Sequence, residues 1–565
     1  MNIFTKTKTI YDFIKWRVTW DWRNTHYRYT VPGNPRFMGP RDAVKLIRDG
    51  AVVGLTGLGA NMRASIMYWA MREVFQETGH PRGLTLLCPG GFGGRGRVPG
   101  TPEELGLDGL CTRLFTGHTE TFKSLLRLAD QGKLELQCIP QGTFILLIAA
   151  MADGAESLLT DTGCGTFIDP RVGPGSRVMN TGPQYVQVED GKLRYTCPKL
   201  DVAVFNVPAA DRKGNLYVKR AAMIGESREM ARAAKSNGGI VIANVGKIVK
   251  EGYDEVFLRA DEVDAVVHYR RTEQTGSKYH RRPLKFLTTE SNLSLDEAIE
   301  RVRYVNRLVG VTPLRSEVDA AVARLAAVVF EERLRKGCLV NFGVGMPEEV
   351  SRLLYDSGLF KDMTGFTESG VFGGVAAPGI FFGAGINPTE VVSSAEAFRR
   401  MYRHLDATVL GFLQVDADGN VNVSKRGEGA INYVGPGGFI DITTCAQHIF
   451  FVGAWMANAK FAIADGGIRV EKPGPVKFME RVDEITFSGV EALKRGQKVF
   501  YITHVGAFRL TERGMELFRV MRGIDVQRDV IQATPMKIVL PEDGAPPVVD
   551  ASVITGRGLK LSLPA

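Results

Sequence analysis

A short helix, an apolar run and a glycine loop follow one another twice in this chain. A helix predicted over residues 41–48 and a buried strand over 51–56 lead into the loop Gly57-Leu-Gly59. A helix predicted over residues 318–336 and a strand over 338–341 lead in the same way into the loop Gly343-Val-Gly345. Because hydrophobic periodicity and glycine breaks agree in both places, we expect two related halves.

A second pair of segments supports this repeat. Asp201-Val-Ala-Val-Phe with its downstream turn Gly214-Asn215 parallels Asp406-Ala-Thr-Val-Leu with Gly419-Asn420, and both landmarks are 205 residues apart. The two glycine loops are 286 residues apart, which leaves 81 extra residues in the first half. The alternative is a chance similarity of Gly-Asn turns.

Several apolar runs lack the alternation of a half-exposed strand and are separated by helix-like stretches. They cover residues 201–207, 239–245, 449–455 and 498–503. Continuous apolar strands between helices are typical of buried parallel sheets. The sequence therefore predicts an α/β fold of two related, open, mainly parallel-sheet domains with flanking helices.

The composition is that of an ordinary globular protein and argues against several classes. The 71 Lys and Arg exceed the 62 Asp and Glu by nine, and five of these excess charges fall in residues 1–37, which is too little to indicate nucleic-acid binding. The seven cysteines stand singly, which predicts reduced thiols and a cytoplasmic location. No apolar run is long enough for a membrane span, and no His spacing predicts a metal site.

Glu368 is the most distinctive candidate for catalysis. It lies within Met363-Thr-Gly-Phe-Thr-Glu-Ser-Gly-Val-Phe-Gly-Gly-Val375, where small and apolar neighbours would exclude water from its carboxylate. Desolvation raises the pKa of a carboxylate and makes the ionised form a stronger nucleophile when backbone donors hold it. The alternative is a carboxylate at a strand end that faces water.

Other catalytic patterns are absent or weak. There is no G-x-S-x-G elbow and no complete P-loop, and the loops at Gly57 and Gly343 lack the third glycine of a dinucleotide fingerprint. The segments 435–441 and 383–388 could offer consecutive amides to an oxyanion or phosphate, although tight turns explain them equally well. His118 stands alone in a loop and is expected to be an ordinary solvated or hydrogen-bonded residue.

Together these segments resemble the family I coenzyme A transferases, most closely the single-chain propionate/acetate type in which two halves are fused. The motifs in the family's order are Thr367-Glu-Ser-Gly370, Phe382-Gly-Ala-Gly-Ile-Asn387, Asp418-Gly-Asn-Val-Asn-Val-Ser-Lys425 and Gly435-Pro-Gly-Gly-Phe-Ile-Asp441. The resemblance extends from about residue 38 to residue 540. It implies an active site in the cleft between the two domains.

By this resemblance Glu368 is the residue that becomes a covalent glutamyl-CoA thioester. Residues on glycine loops are expected to bind CoA, and they are Gly343, Val344, Gly345, Gly383, Asn387, Gly437 and Gly438. The loops of Val344, Gly345, Gly437 and Gly438 are those that in the family donate backbone hydrogen bonds to the thioester oxyanion. CoA would then be a co-substrate, without a tightly bound cofactor or a metal.

The implied activity is reversible, ping-pong transfer of CoA from an acyl-CoA to a free carboxylic acid of the short-chain propionate, acetate or 3-oxoacid type. The expected partners are acyl-CoA and small carboxylic acids, with no nucleic acid, no membrane span, and assembly as a homo-dimer or homo-tetramer. Two alternatives are an acyl-CoA hydrolase on the same scaffold and a non-catalytic ligand-binding or scaffolding member.

The expected organisation has five parts. They are a basic, aromatic N-terminal extension (1–37), a first half (38–275), a connection (276–312), a second half (313–540) and a C-terminal tail (541–565). The extension carries Trp16, Trp20 and Trp22 among Lys and Arg, and packing onto the body or a neighbouring subunit is favoured over contact with a membrane surface or nucleic acid. The loop after Gly59 departs from the family pattern, so an acyl pocket built partly from it would differ.

Overall fold

The computed structural model describes residues 1–94, 98–179, 182–276, 278–311 and 315–564. Two large, mainly parallel sheets with helices around them form most of this part of the chain, which confirms the predicted α/β class. The predicted boundary between residues 312 and 313 lies outside the described residues, as do Ser277 of the connection and Ala565 of the tail.

The first sheet is built from the N-terminal part of the chain. The strands here are β1 (Val52–Leu55), β2 (Leu84–Cys88), β3 (Cys111–Thr116), β4 (Glu135–Cys138), β5 (Leu158–Thr160), β6 (Val186–Glu189), β7 (Lys192–Tyr195), β8 (Val202–Asp211), β9 (Leu216–Tyr217), β10 (Ile240–Val249), β11 (Ala265–His268), β12 (Glu273–Thr275) and β13 (Lys278–Tyr279). The helices are α1 (Ile3–Thr19), α2 (Pro40–Val44), α3 (Ser65–Thr78), α4 (Lys123–Asp130), α5 (Gln141–Ala152), α6 (Ser227–Ser236) and α7 (Leu295–Leu308). The order β11-β10-β8-β1-β2-β3-β4 is parallel throughout, and β9 is added antiparallel to β8.

The second sheet follows from residue 338 onward. The strands are β14 (Cys338–Phe342), β15 (Met363–Thr367), β16 (Val371–Phe372), β17 (Val375–Ala376), β18 (Gly385–Ile386), β19 (Glu390–Val391), β20 (Ala407–Leu410), β21 (Gln414–Val415), β22 (Val421–Asn422), β23 (His448–Val452), β24 (Lys460–Ala464), β25 (Gly467–Lys472), β26 (Lys498–Ile502), β27 (Gly506–Thr511) and β28 (Gly514–Val520). The helices are α8 (Glu317–Glu331), α9 (Met346–Asp356), α10 (Ser394–Arg403), α11 (Phe439–Cys445), α12 (Gly489–Lys494) and α13 (Ala551–Thr555). The order is β19-β16-β15-β14-β20-β23-β26-β27-β28, with a parallel centre from β15 to β26.

The two sheets repeat one another at their centres. Strand β1 lies between β2 and β8, and strand β14 lies between β15 and β20 in the same manner. The predicted landmarks also have the same role, since Asp201 accepts a hydrogen bond from the Val52 amide (2.9 Å) and Asp406 accepts one from the Leu339 amide (2.8 Å). The repeat is therefore confirmed, and the extra residues of the first half include β3 to β7.

The predicted strands agree well with the structure, and the predicted helices are too long. The four apolar runs are the parallel strands β8, β10, β23 and β26. The helix predicted over 41–48 ends at Val44, because the chain turns through residues 45–50 and reaches β1 by way of Gly50, whose φ is 71°. The helix predicted over 318–336 ends at Glu331 for a similar reason, with a turn before β14.

The ends of the chain lie against this core. Arg324 of α8 donates to the carbonyls of Val553 and Ile554 (both 2.6 Å), so the tail is held on the second sheet domain. Phe37 forms a parallel bridge with Val266 of β11 and closes the N-terminal extension onto the first sheet. Within the described ranges, no helix has the length and apolar character needed to cross a bilayer.

Candidate active site

Glu368 lies in the turn of a hairpin at the end of β15. Strands β15 and β16 pair antiparallel through Thr367 and Val371, so residues 368–370 form a three-residue turn. A left-handed residue closes turns of this length, and Gly370 supplies it with a φ of 93°. A β-carbon at Gly370 would also lie 2.1 Å from the Val392 carbonyl oxygen. The glycine of the Glu-Ser-Gly motif is thus required by the conformation of the hairpin.

The carboxyl ends of two parallel strands bring Glu368 and the glycine loop after β14 to one edge of the sheet. Asn341 of β14 is in register with Phe366 of β15, so both strands end at this edge. Gly343 donates its amide to the Val409 carbonyl (2.8 Å), and Gly345 begins α9 with a φ of 89°. Val344 between them is half exposed. The structure therefore places residues 343–345 at the same sheet edge as the candidate nucleophile, and their contact with CoA remains a prediction.

Gly438 leaves space that the side chain of Glu368 uses. A β-carbon at Gly438 would lie 3.2 Å from Cγ of Glu368 and 3.4 Å from Cδ1 of Ile442. Gly438 precedes α11, so its amide stands at the N-terminal end of that helix. The predicted pair of Glu368 and Gly438 is therefore brought together, although 70 residues separate them in sequence.

The turn that contains Gly437 is held by the first half of the chain. Gly437 donates its amide to the Gly117 carbonyl (2.7 Å) and accepts a hydrogen bond from the Gln141 amide (2.9 Å). A β-carbon at Gly437 would have Nδ1 of His118 at 3.9 Å. The Gly437 amide is therefore engaged in this structure, and Gly438 supplies the amide of this turn that we consider further as an oxyanion donor.

Burial raises the pKa of Glu368 above that of an ordinary glutamate. Hydrogen bonds from its own backbone amide and from the buried Asn341 side chain favour the carboxylate and oppose this rise, and the negative charge of Asp441 adds to it. The side chain of Glu368 is half-buried, so its carboxylate is partly desolvated and has donors, which is the condition for a usable nucleophile.

This pKa predicts the pH dependence of the attack on an acyl-CoA that the family resemblance implies for Glu368. An attacking carboxylate must be ionised, so the rate should fall as the pH falls through the pKa of Glu368. Because that pKa is raised, the fall should have its midpoint above about 4.3, the ordinary value for glutamate. Single-turnover rates with an acyl-CoA from pH 4 to pH 8 measure the midpoint. A midpoint at or below the ordinary value would contradict the burial of this side chain.

Asp441 connects the two halves beneath the site. Its carboxylate is fully buried and accepts from the Gly142 amide (2.9 Å), the Thr143 amide (2.6 Å), the Thr143 hydroxyl (2.7 Å) and the Tyr402 hydroxyl (3.1 Å). Burial raises the pKa of Asp441 to about 6, and these four donors limit the rise. Because the two amides begin α5, Asp441 caps a helix of the first half from α11 in the second.

Replacing Asp441 with alanine should destabilise the protein by about 2–4 kcal/mol, since buried donors at the start of α5 would lose their acceptor. The urea midpoint at unchanged slope measures this loss. Asp441→Asn keeps one acceptor oxygen and should lose less. Equal stability of Asp441→Ala and the wild type would show that the cap contributes nothing.

The predicted loop at residues 383–388 binds both the hairpin of β15 and β16 and the glycine loop that begins at Gly57. Gly383 is buried, and its carbonyl accepts from the Ser369 hydroxyl beside Glu368. The neighbouring Phe382 carbonyl accepts from Nδ2 of Asn61 (2.7 Å), so the loop after Gly59 reaches the same place. This contact brings the sequence that departs from the family pattern to the edge of the candidate site.

Asn387 has a structural role in this structure. Its side chain accepts from the Ser291 hydroxyl (2.7 Å) and donates to the Leu293 carbonyl (2.8 Å), and its φ is 51°. It therefore holds the segment that leads into α7. Contact of Asn387 with CoA remains a prediction.

Adjacent glycines in the turn before α11 give matched substitutions. Gly438 has a φ of −83° that alanine adopts freely, but the new β-carbon would press on Glu368. We expect Gly438→Ala to fold normally and to lower kcat by about tenfold or more. Gly437 has a φ of 54° and no atom within 3.5 Å of an added β-carbon, so Gly437→Ala should mainly cost about 1 kcal/mol of stability. A fully active Gly438→Ala enzyme would contradict the close contact.

The sequence analysis missed two polar residues of the site. Asn341 is fully buried at the end of β14, where its Oδ1 accepts from the Thr408 hydroxyl (3.4 Å). In the sequence, a polar residue near the end of an apolar strand that leads into a glycine loop could have identified Asn341 as a site residue. Gln141 is buried at the start of α5 beside Gly437, and no local pattern marks it. His118, expected to be ordinary, is also placed next to this turn.

No three His, Cys, Asp or Glu side chains are grouped as a metal site in the described part of the chain. The expectation that the chemistry needs no metal remains a prediction.

Comparisons with known proteins show the family to which the chain belongs. A family model described as Coenzyme A transferase matches residues 37–260. The caffeate CoA-transferase of Acetobacterium woodii is 32% identical over 508 residues, which cover 88% of this chain and 93% of that protein. The acetate CoA-transferase YdiF of Escherichia coli O157:H7 is 31% identical over 513 residues, which cover 89% and 92%.

Solved structures of an acyl-CoA transferase are also similar to this chain. The acyl-CoA transferase YdiF apoenzyme from E. coli O157:H7 superposes with a TM-score of 0.83 at 28% identity, over 95% of this chain and all of that chain. Its thioester complex with CoA superposes with a TM-score of 0.81 at 28% identity, over 93% and 97%.

Proposed function

Because the chain belongs to the coenzyme A transferase family, we propose that it transfers CoA reversibly from an acyl-CoA to a free carboxylic acid through a thioester on Glu368. The observation that carries this proposal is the position of Glu368, whose side chain is desolvated between Asn341 and Gly438 at the contact of the two halves. A ligand-binding or scaffolding protein has no need for a desolvated carboxylate of this kind.

The proposed chemistry exchanges one acyl derivative for another. A Glu368 oxygen attacks the acyl-CoA carbonyl carbon, the carbon–sulfur bond breaks, and an acyl-glutamyl anhydride and CoA thiolate form. The thiolate then attacks the Glu368 carbonyl carbon and releases the first carboxylate with one oxygen from Glu368. The acceptor carboxylate repeats these steps in reverse, so no net proton or electron is transferred.

The surrounding residues have separate parts in this scheme. The Asn341 side chain orients the carboxylate, and the Gly438 amide at the start of α11 faces the negative oxygen that develops during attack. The amides of Val344 and Gly345, in the loop after β14, are the second donor group that we assign to this oxygen. Contacts between the halves exclude water, which would otherwise hydrolyse the anhydride and the thioester.

The substrate class that we propose is a monocarboxylic acid and its CoA thioester. Relatives named for acetate and for caffeate share about the same identity with this chain, so identity does not select the acyl group. The loop from Gly59 to Ser65, which reaches Phe382 at the edge of the site, is the element expected to set acyl size. A panel of short-chain, 3-oxo and aromatic acyl-CoAs against carboxylate acceptors tests this choice.

The hydrolase alternative differs in what resolves the thioester. In a transferase, CoA transfer depends on the acceptor, and oxygen-18 in the acceptor carboxylate enters Glu368. In a hydrolase, free CoA is released without any acceptor, and oxygen-18 from water enters Glu368 instead. Acceptor-independent release of CoA at the full turnover rate would refute the transferase proposal.

A further inference from the structure

Helix α1 presents an apolar face to solvent. Phe4, Tyr11, Ile14 and Val18 are 84%, 60%, 55% and 65% exposed, and α1 has no buried residue. Spacings of three, four and seven residues place these side chains on one side of the helix. An apolar stripe that the rest of the protein does not cover marks an interaction surface.

Contacts on the opposite side fix this orientation. Asp12 forms an ion pair with Lys278 of the hairpin of β12 and β13 (2.6 Å). Arg271 donates to the Thr19 carbonyl (3.4 Å) at the end of the helix and to the Trp22 carbonyl (3.0 Å) beyond it. These bonds attach α1 to the first sheet domain by the side that carries Asp12 and the half-buried Trp16, so the apolar stripe faces outward.

Cations border the apolar stripe on both sides. At about 100° per residue, Lys8 and Lys15 fall along one edge of the stripe and Lys6 and Arg17 along the other. Asp12 is the single acidic residue of α1 and is turned toward the body. Among the described residues, Lys8, Lys15 and Arg17 are exposed and form no ion pair with a carboxylate.

We propose that α1 docks the protein reversibly on an anionic lipid bilayer, with the apolar stripe in the boundary between headgroups and acyl chains. An apolar face bordered by Lys and Arg, with aromatic residues in the stripe, is the pattern of a helix that lies in a membrane interface. The bordering cations then face lipid phosphates and carboxylates.

The charges around the apolar stripe argue against a second copy of α1 or a nucleic acid as its partner. A second copy of α1 would bring the same cations opposite one another along both edges, at a cost in free energy. A nucleic acid would neutralise the cations but leave the apolar stripe in water. An anionic bilayer satisfies both features.

The test is sedimentation of the full-length protein with vesicles of phosphatidylcholine alone and of phosphatidylcholine mixed with phosphatidylglycerol. We expect binding to the mixed vesicles that weakens with added salt, and little binding to the neutral ones. Lys8→Glu/Lys15→Glu should weaken binding by about 25-fold or more, since each cation near an anionic surface contributes about 1 kcal/mol, or about fivefold. Phe4→Ser/Tyr11→Ser/Ile14→Ser should abolish binding while the cations remain.

Matched controls separate docking from folding and general charge. Lys192 and Lys250 are exposed cations elsewhere, so Lys192→Glu/Lys250→Glu should bind the mixed vesicles within about twofold of the wild type. CoA-transferase turnover of all variants should be unchanged. Equal binding to both vesicle types, or no binding to either, would overturn the proposal. Dimerisation that Phe4→Ser/Tyr11→Ser/Ile14→Ser removes, or oligonucleotide binding that this variant keeps, would assign the surface to another occupant.

Discussion

Replacing Glu368 with alanine is expected to lower CoA transfer by about 10⁴-fold or more while CoA affinity changes by no more than about tenfold. The substitution removes the attacking group, which corresponds to about 5.5 kcal/mol of lost transition-state stabilisation. The substitution leaves unchanged the amides of Val344, Gly345 and Gly438 that we propose as donors, so we expect CoA binding to persist. Steady-state kinetics with calorimetric CoA binding measures both quantities.

Glu512→Ala is the matched control, because Glu512 is an exposed carboxylate between β27 and β28, away from the glycine loops of the site. Its activity should equal that of the wild type. A Glu368→Ala enzyme that keeps more than about one hundredth of the wild-type rate would refute the nucleophile assignment.

Shortening the same side chain should have the second largest effect. Glu368→Asp keeps the charge but withdraws the carboxylate by one methylene, roughly 1.5 Å. A displacement of this size at a reacting atom costs about 10² to 10³ in rate. We therefore expect a large fall in kcat with a modest change in KM for the acyl-CoA. Near-wild-type turnover would show that the carboxylate acts at a distance and does not attack.

Much of the fold is predictable because the second half repeats the first. Asp201 and Asp406 mark corresponding positions of the two halves and bind β1 and β14 alike, and the apolar runs without alternation identify the central parallel strands. The family predicted from the ordered motifs is confirmed. The place of the extra residues in the first half was not predictable, because local patterns do not say which sheet edge β3 and β4 will join.

The site is predictable only in part for a related reason. Glu368 stands out because a lone carboxylate among glycine and apolar residues is unusual in sequence. The contact of Gly438 with Glu368 and the bond from Gly437 to Gly117 join distant segments, and no periodicity reports such contacts. The outward apolar face of α1 was likewise hidden, because an apolar stripe in sequence normally predicts burial.

Mass analysis of the peptide that contains Glu368 tests the central claim most directly. The protein is incubated with an acyl-CoA in the absence of acceptor, digested, and compared with a sample treated with hydroxylamine. We predict a CoA adduct on Glu368 that hydroxylamine converts to a hydroxamate and that a carboxylate acceptor discharges. An unmodified Glu368 peptide in an enzyme that still turns over, or an adduct on another residue, would contradict the account.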